Sequence, residues 1–509
     1  MKPMVFFTIV SRNYLAYALT LMQSVAAQHP ESRRYLCLAD SREDDPALDT
    51  ALFETVTIDQ LGLPNFEAFV FRYDIMELNT AVKPYMFGWL RMRHPQAGLV
   101  YLDPDIYVVR PLEDIARAFD DGKLAVLTPH INAPLPDDGK FPTELSLMRT
   151  GVYNCGFAAI NAAHTESAAL IDWWERKLEF DCFVDLEAGL FTDQKWVDMV
   201  PGLFPDVLIL RHDGYNVAYW NLASRTVTRA SGDDYEVNGV PLVFAHFSGV
   251  DLSRPEIFSK HQDRFDADSI GGLRELYDTY LEKLRDHEHL HHARKPYAYG
   301  YFSDGERIAP ALRRAYHRHF DVCCEEPEPC PLRMDRARFN DPSPKVIEMR
   351  GLPISYVMYE IWRMREDLND TFNLQTIDGR EGFIRWYLDN AARELALEKR
   401  YLDPIRAAFK PPRRAGRGIR ARAGRAALRL LGWGKRHSGL ARLYARVPLE
   451  WRVALRRRVH AAVGISMPSL QSETVARRAT RAKYVRPQSV VPGANLLGYA
   501  RGEFGIAEN

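Results

Sequence analysis

Apolar positions along the chain alternate between two periods. Val5-Phe6-Phe7-Thr8-Ile9-Val10 is a short apolar run. A polar turn, Ser11-Arg12-Asn13, follows, and then Leu15, Leu19, Met22 and Ala26 at helical spacing. A β-branched and aromatic run closed by turn residues predicts a buried strand, and the three-to-four-residue spacing predicts an amphipathic helix. Residues 35–39 repeat the strand pattern and end at Asp40. Strand, helix, strand from the first residues predicts a parallel α/β sheet. More strands are expected on either side of Asp103-Pro104-Asp105 and over 124–127, 153–161, 207–210 and 242–249. Helices are expected over 66–78, 80–93, 162–180 and 273–292, with another opening at Thr192 or Asp193. Pro84 suits the first turn of the second of these, which starts at Lys83. Asn132 to Lys140 is rich in Pro, Gly and Asp and reads as a mobile lid. Residues 354–372 and 382–401 carry helical spacing and predict a small helical module. Residues 417–463 do so too, interrupted by Gly432, Gly434, Gly439 and Pro448.

Length and charge divide this pattern into parts. The 509 residues are 46% hydrophobic and 26% charged, as in ordinary globular protein. Net charge is zero, yet residues 405–509 hold 23 basic and 4 acidic side chains, against 44 and 63 in residues 1–404. Two regions with opposite balances of 19 charges do different jobs. The expected parts are a sheet domain over 1–292, a connector and helical module over 293–405, a basic linker over 406–487, and a new strand with glycines over 488–509. Six cysteines in a chain of this length do not make a disulfide framework. No apolar run approaches 18 residues, and the first 28 residues lack a signal peptide's pattern. A cytoplasmic protein is expected, with a face able to rest on the membrane's inner surface.

The candidate chemistry sits where the strand pattern breaks. Pro104 cannot donate to a sheet ladder, so the strand stops there and leaves Asp103 and Asp105 at its carboxyl end. Open α/β sheets bind ligands at that edge. Two hard oxygen donors two positions apart suit Mg²⁺ or Mn²⁺, which can hold a diphosphate. Thr8, Asn13 and Asp40 fall at the same edge, where a nucleotide can dock. A polar turn between two strands is the plain alternative for the two acids.

Four motifs in chain order, added to these residues, resemble the GT-A glycosyltransferases, and among them family 8. Tyr101-Leu102-Asp103-Pro104-Asp105-Ile106 resembles the family's Asp-x-Asp strand end, and Tyr153-Asn154-Cys155-Gly156-Phe157 resembles its strand against the donor sugar. Thr192-Asp193-Gln194 resembles its Asp-Gln helix start, and His246-Phe247-Ser248-Gly249 its His-x-x-Gly motif. The resemblance implies a Rossmann-like mixed sheet and transfer, with retention, of a hexosyl group from a nucleotide-diphosphate sugar. It implies Asp103, Asp105 and His246 as ligands of a divalent ion, with Mn²⁺ favoured over Mg²⁺ by the mixed imidazole and carboxylate set. It places Gln194, or Asp193, on the sugar's β-face as the catalytic group, and Asn154 and Gly156 at the donor. For Asp193 a plain helix cap is the other reading. Family members usually continue with Lys-Pro-Trp where this chain has Val250-Asp251-Leu252. Lys83, Arg254 or Lys260 can replace that lysine at the diphosphate, with Lys83 first in order. Residues 493–506 resemble the opening of a family 4 type GT-B enzyme, as if the chain were part of a longer polypeptide.

Other readings remain at this point. A sugar-phosphate nucleotidyltransferase would want a basic Gly-rich signature after the first strand, which Ser11-Arg12-Asn13-Tyr14 does not supply. A non-catalytic module holding a nucleotide sugar or glycan has less need of the Asp103, Asp105 and His246 set. His317, His319, Cys323, Cys324 and Cys330 match no closed zinc knuckle. The basic linker can be a solvated connector or can lie on anionic lipid, which would suit a lipid-linked or polysaccharide acceptor in bacterial surface polysaccharide synthesis. No recognition motif accompanies its charge, so nucleic acid is not an expected partner.

Overall fold

In chain order the strands that shape the site are β1 (Met4–Val10), β2 (Arg33–Leu38), β3 (Glu54–Thr57), β4 (Gly98–Leu102), β5 (Ile106–Val108), β6 (Ala125–Pro129) and β7 (Tyr153–Asn161). The computed structural model describes residues 2–40, 46–48, 50–229, 234–321 and 331–411. One seven-stranded sheet runs from strand Val207–Ile209 through β6, β7, β4, β1 and β2 to β3. Four of its pairings are parallel, and the two made by β7 are antiparallel. The mixed α/β fold expected from the alternating strand and helix patterns is therefore present. Strand β5 stands outside this sheet and pairs antiparallel with strand Phe244–His246.

Side-chain alternation along the strands feeds two apolar layers. On β1, Phe7 and Ile9 face one layer while Phe6 faces the other. Helices α4 (Lys83–Arg93) and α7 (Ser167–Leu178) cover the first layer with Met86, Phe87, Leu90, Leu170, Ile171 and Trp174. Helix α1 (Leu15–Gln28) and α5 (Glu113–Asp120) cover the second with Leu21, Val25, Ile115 and Phe119. Burying each such side chain contributes about 2 kcal/mol.

Some boundaries differ from the periodicity. The helix expected over 66–78 is two helices, α2 (Phe66–Arg72) and α3 (Ile75–Ala81). Asp74 ends the first by capping the second: its carboxylate accepts from Met76 N at 3.0 Å and Glu77 N at 2.9 Å. The expected lid is followed by a short helix, α6 (Glu144–Thr150), none of whose side chains is buried. Nor does the lid hang free. Arg264 pairs with Asp138 at 2.9 Å and donates to the carbonyls of Lys140 and Pro142, and Phe141 N donates to Asp263 at 2.6 Å.

Helix Leu273–Asp286 packs Leu276, Tyr277 and Tyr280 against Phe247 and Val250, closing the sheet region near its expected end. Beyond it, helices Pro310–Tyr316, Tyr356–Met364, Ile377–Leu395 and Lys399–Ala408 form the helical module. Its core of Leu312, Tyr316, Met358, Ile361, Phe383 and Tyr387 takes in Ala68 and Phe71 of α2. Residues up to Pro411 cluster as one unit. Most of the basic linker over 406–487, the whole of 488–509, and Cys323, Cys324 and Cys330 lie outside the described residues. Among the described residues no helix is long and apolar enough to cross a membrane.

Candidate metal and donor site

Three strand ends meet because β7 runs against its neighbours. Its first residues lie beside the last residues of β4 and β6, with Phe157 opposite Leu102 and Tyr153 opposite Pro129. Asp103 N donates to the Gly156 carbonyl at 2.7 Å, which seats the first acid against β7. The small antiparallel pair then brings in the distant imidazole. His246 pairs with Ile106, and Phe247 N donates to the Asp105 carbonyl at 2.9 Å. As a result His246 Nε2 lies 3.0 Å from Asp105 Oδ1 and 3.8 Å from Asp103 Oδ2.

These three side chains fit a divalent ion. One ligand atom from each lies within 4.8 Å of the others. Neighbouring ligands of a six-coordinate Mg²⁺-sized ion, each about 2.1 Å from the metal, stand about 3 Å apart. The space they enclose depends on Gly156. A Cβ there would fall 2.4 Å from His246 Cε1 and 2.7 Å from Asp103 Oδ2. Burial pushes the Asp103 pKa up, against the pull of Lys83, and the Asp105 charge pushes it further. For His246, burial works against the imidazolium, but Asp105 and behind it Asp103 outweigh it and raise the pKa. Lys83 and His246 favour the Asp103 carboxylate while burial and Asp105 oppose it, and a cation among the three side chains would act in the same sense as Lys83. A second group, His164, Glu166 and Asp206, also clusters. There His164 Nδ1 accepts the Glu166 N–H at 3.1 Å, so its Nε2 carries a hydrogen toward Asp206, 3.5 Å away. That ring therefore offers no free lone pair to an ion.

The remaining expected residues have different positions. Lys83 is buried, not at the open edge. Its Nζ pairs with Asp193, donates to the Cys155 carbonyl at 2.8 Å and lies 4.2 Å over the Tyr101 ring. It is therefore a strut behind β4, with its ammonium turned inward, where the expectation had it at the diphosphate. Tyr101 continues the strut by donating to Asp103 Oδ1 at 2.5 Å. Arg254 pairs with Asp251 at 3.0 Å, and Lys260 is exposed beside Gly249. Asp193 occupies the cap position but its carboxylate turns to Lys83 and not to the helix. Gln194 is held at both ends, accepting from Cys155 N at 3.2 Å and donating to the Thr150 carbonyl at 2.8 Å. Asn154 spends its amide on Asn216 and His130. Asp40 is buried and accepts from Ala298 N at 2.9 Å and Arg12 N at 3.4 Å. Thr8 Oγ1, inside β1, and Asn13 Oδ1, just beyond it, are buried with no hydrogen-bond partner among the described residues.

Periodicity gave no sign of several neighbours. Tyr14 stacks on Tyr17 at 4.7 Å, and its hydroxyl pKa is pushed up to about 12 by burial and then by Asp105 and Asp103. Its place directly after the first turn was the available signal. Trp220 stands edge-on to His246 at 5.1 Å and to His130 at 5.3 Å. Asn216 meets His246 from behind at 3.1 Å. Both lie in the segment 215–221, whose aromatic content drew attention away from Asn216.

No family model matches the chain. It is 28% identical over 264 residues to the uncharacterized protein YfnD of Bacillus subtilis (strain 168), covering 50% of this chain and 80% of that protein. It is 26% identical over 217 residues to the uncharacterized protein YfnF of the same strain, covering 42% and 70%. Among solved structures it is similar to mouse xyloside xylosyltransferase 1 in its apo form, at 13% identity and TM-score 0.31, covering 48% of this chain and 97% of that one. It is also similar to the galactosyltransferase LgtC in complex with donor and acceptor sugar analogs, at 15% and 0.30, covering 56% and 95%. Scores of this size leave the site to be read from this chain's own residues.

Proposed function

We propose that the chain is a metal-dependent glycosyltransferase of the GT-A kind, moving a sugar from a nucleotide-diphosphate donor, with retention, to a glycan or lipid-linked acceptor. One observation carries the reading: Asp103, Asp105 and His246 converge at the carboxyl edge of a sheet whose β1 and the turn after it carry buried Thr8 and Asn13 oxygens without partners among the described residues. The order of the four motifs supports it. A bound Mn²⁺ or Mg²⁺ supplies Lewis-acid neutralisation of the leaving diphosphate. Asp103, Asp105 and His246 hold that ion, and Thr8, Asn13 and the exposed face of Tyr14 receive the nucleotide. Gly156, Asn154, Gln194 and Asp193 form the wall beside the donor sugar. Their polar atoms are already anchored, so the wall is set before the donor arrives. Peripheral contact of 406–487 with anionic lipid, the reading supported by its arginines together with Leu, Trp433 and Trp451, would bring a lipid-linked acceptor within reach.

The test is release of nucleoside diphosphate from a panel of nucleotide sugars with and without Mn²⁺. Asp105→Ala is expected to lower Mn²⁺-dependent turnover at least ~100-fold, the scale of losing a metal's electrostatic contribution, in a chain that still melts cooperatively. Unchanged turnover sinks the metal assignment. Pyrophosphate release from a nucleoside triphosphate and a sugar phosphate favours a nucleotidyltransferase instead.

A further inference from the structure

The hydrogen-bond polarity behind His246 is dictated by a backbone carbonyl three side chains away. The Val152 carbonyl can only accept, so His130 Nδ1, 3.2 Å from it, carries a hydrogen. His130 is buried, and desolvation pushes its pKa down to about 4, so the ring is neutral at pH 7 and Nε2 keeps a lone pair. Asn154 Nδ2 donates to that lone pair at 3.3 Å, which turns Asn154 Oδ1 the other way. This oxygen accepts from Asn216 Nδ2 at 3.0 Å, and the same amide nitrogen donates to Thr128 Oγ1 at 2.9 Å. Asn216 Oδ1 is left as an acceptor, 3.1 Å from His246 Nδ1. A flipped Asn216 would set its oxygen against Asn154 Oδ1 and its nitrogen against the His246 Nδ1 hydrogen.

We infer that Asn216, oriented through Asn154 and His130 by the Val152 carbonyl, is a positioning residue that accepts from His246 Nδ1–H and so holds the ring with Nε2 toward Asp105 and Asp103. The inference rests on the reading of those three side chains as a cation site. A partner on the second nitrogen commonly fixes the tautomer and ring orientation of a metal-binding histidine. Asn216 is built for the task. It is fully buried, its backbone has φ 56°, which asparagine tolerates better than most residues, and its carbonyl accepts from Asn221 Nδ2 at 2.9 Å. The chain of amides also joins the cation ligands to the Gly151-Val152 backbone beside Gln194, so the metal edge and the sugar wall share one scaffold.

The full chain tests this with three variants. Asn216→Gly removes the amide and accepts φ 56° without strain. Asn216→Asp keeps an acceptor for His246 Nδ1. Thr128→Val removes a partner of the same amide without touching His246. Mn²⁺ titration followed by electron paramagnetic resonance is expected to show about 10–100-fold weaker binding for Asn216→Gly and a change of less than about threefold for the other two. In chain labelled with ¹⁵N at histidine, a slowly exchanging Nδ1–H resonance that disappears in His246→Ala is expected in wild type and Asn216→Asp and is lost in Asn216→Gly. Should the glycine variant melt early, Asn216→Ser takes its place. Wild-type Mn²⁺ affinity in folded Asn216→Gly, or an equal loss in Thr128→Val, overturns the inference, as does persistence of the resonance. If wild type binds Mn²⁺ no better than His246→Ala, the cation site itself is refuted, and the resonance still decides whether Asn216 holds the ring.

Discussion

Glu175 lies on α7 against the glycine face of α4: a Cβ on Gly88 would come within 2.8 Å of its Oε1. Desolvation there, with a smaller push from Asp172, raises its pKa to about 7. A carboxyl raised above its unfolded value stabilises the fold fully below about pH 4.5, and that contribution fades as pH rises through about 7. Glu175→Gln is therefore expected to melt within a degree or so of wild type at pH 4.5 and measurably higher at pH 8, by thermal denaturation at both pH values. Equal melting differences at the two pH values refute it. The same scale shows what single residues could tell a reader of the sequence. Asp103, Asp105 and His246 were legible because each sits at a break in an apolar run. Lys83 was misplaced because a lysine before Pro84 reads as a surface helix start, and only the fold shows Asp193 waiting for it. Asn216 carried no local signal, since its side chain's role is defined by three partners from distant segments, Thr128, Asn154 and His246.

At the scale of elements, strands were easier to read than helix ends. A buried strand announces itself as a dense apolar run, and β1, β4 and β7 fall within a residue or two of expectation. The reversal of β7 was not legible, because a fully buried strand looks alike in either direction. That reversal decides the site, since it delivers Asn154 and Gly156 to the edge where β4 ends. Between α2 and α3 the apolar spacing runs on unbroken, and Asp74 alone makes the break. Its two backbone contacts are worth about 1 kcal/mol. Asp74→Ala is expected to lower the melting temperature by about 1–2 °C, and Asp74→Asn by less. A drop of equal size in both variants would assign the effect to charge rather than capping.

At the scale of the molecule, the helical module is joined to the sheet region by a buried ion pair as well as by shared apolar packing. Arg314 lies 2.5 Å from Glu77, both nearly out of solvent, and its guanidinium stands 3.9 Å over the Phe183 ring. Removing one partner leaves the other charge stranded, at about 3–5 kcal/mol. Arg314→Ala is expected to lower the denaturant midpoint sharply, while Arg314→Met combined with Glu77→Leu recovers most of the loss. A double variant no better than the single one refutes the pairing as the cause. The helical spacing over 354–372 and 382–401 showed part of the module, but neither helix Pro310–Tyr316 nor this joint was legible, because Glu77 reads as an ordinary charge on an amphipathic helix and Arg314 lies where no helix was expected. Another long-range tie runs from Arg264 across to Asp138, Lys140 and Pro142. Residues 138–142, held in this way by a segment more than a hundred positions away in sequence, have fewer conformations left to give up should anything bind against them.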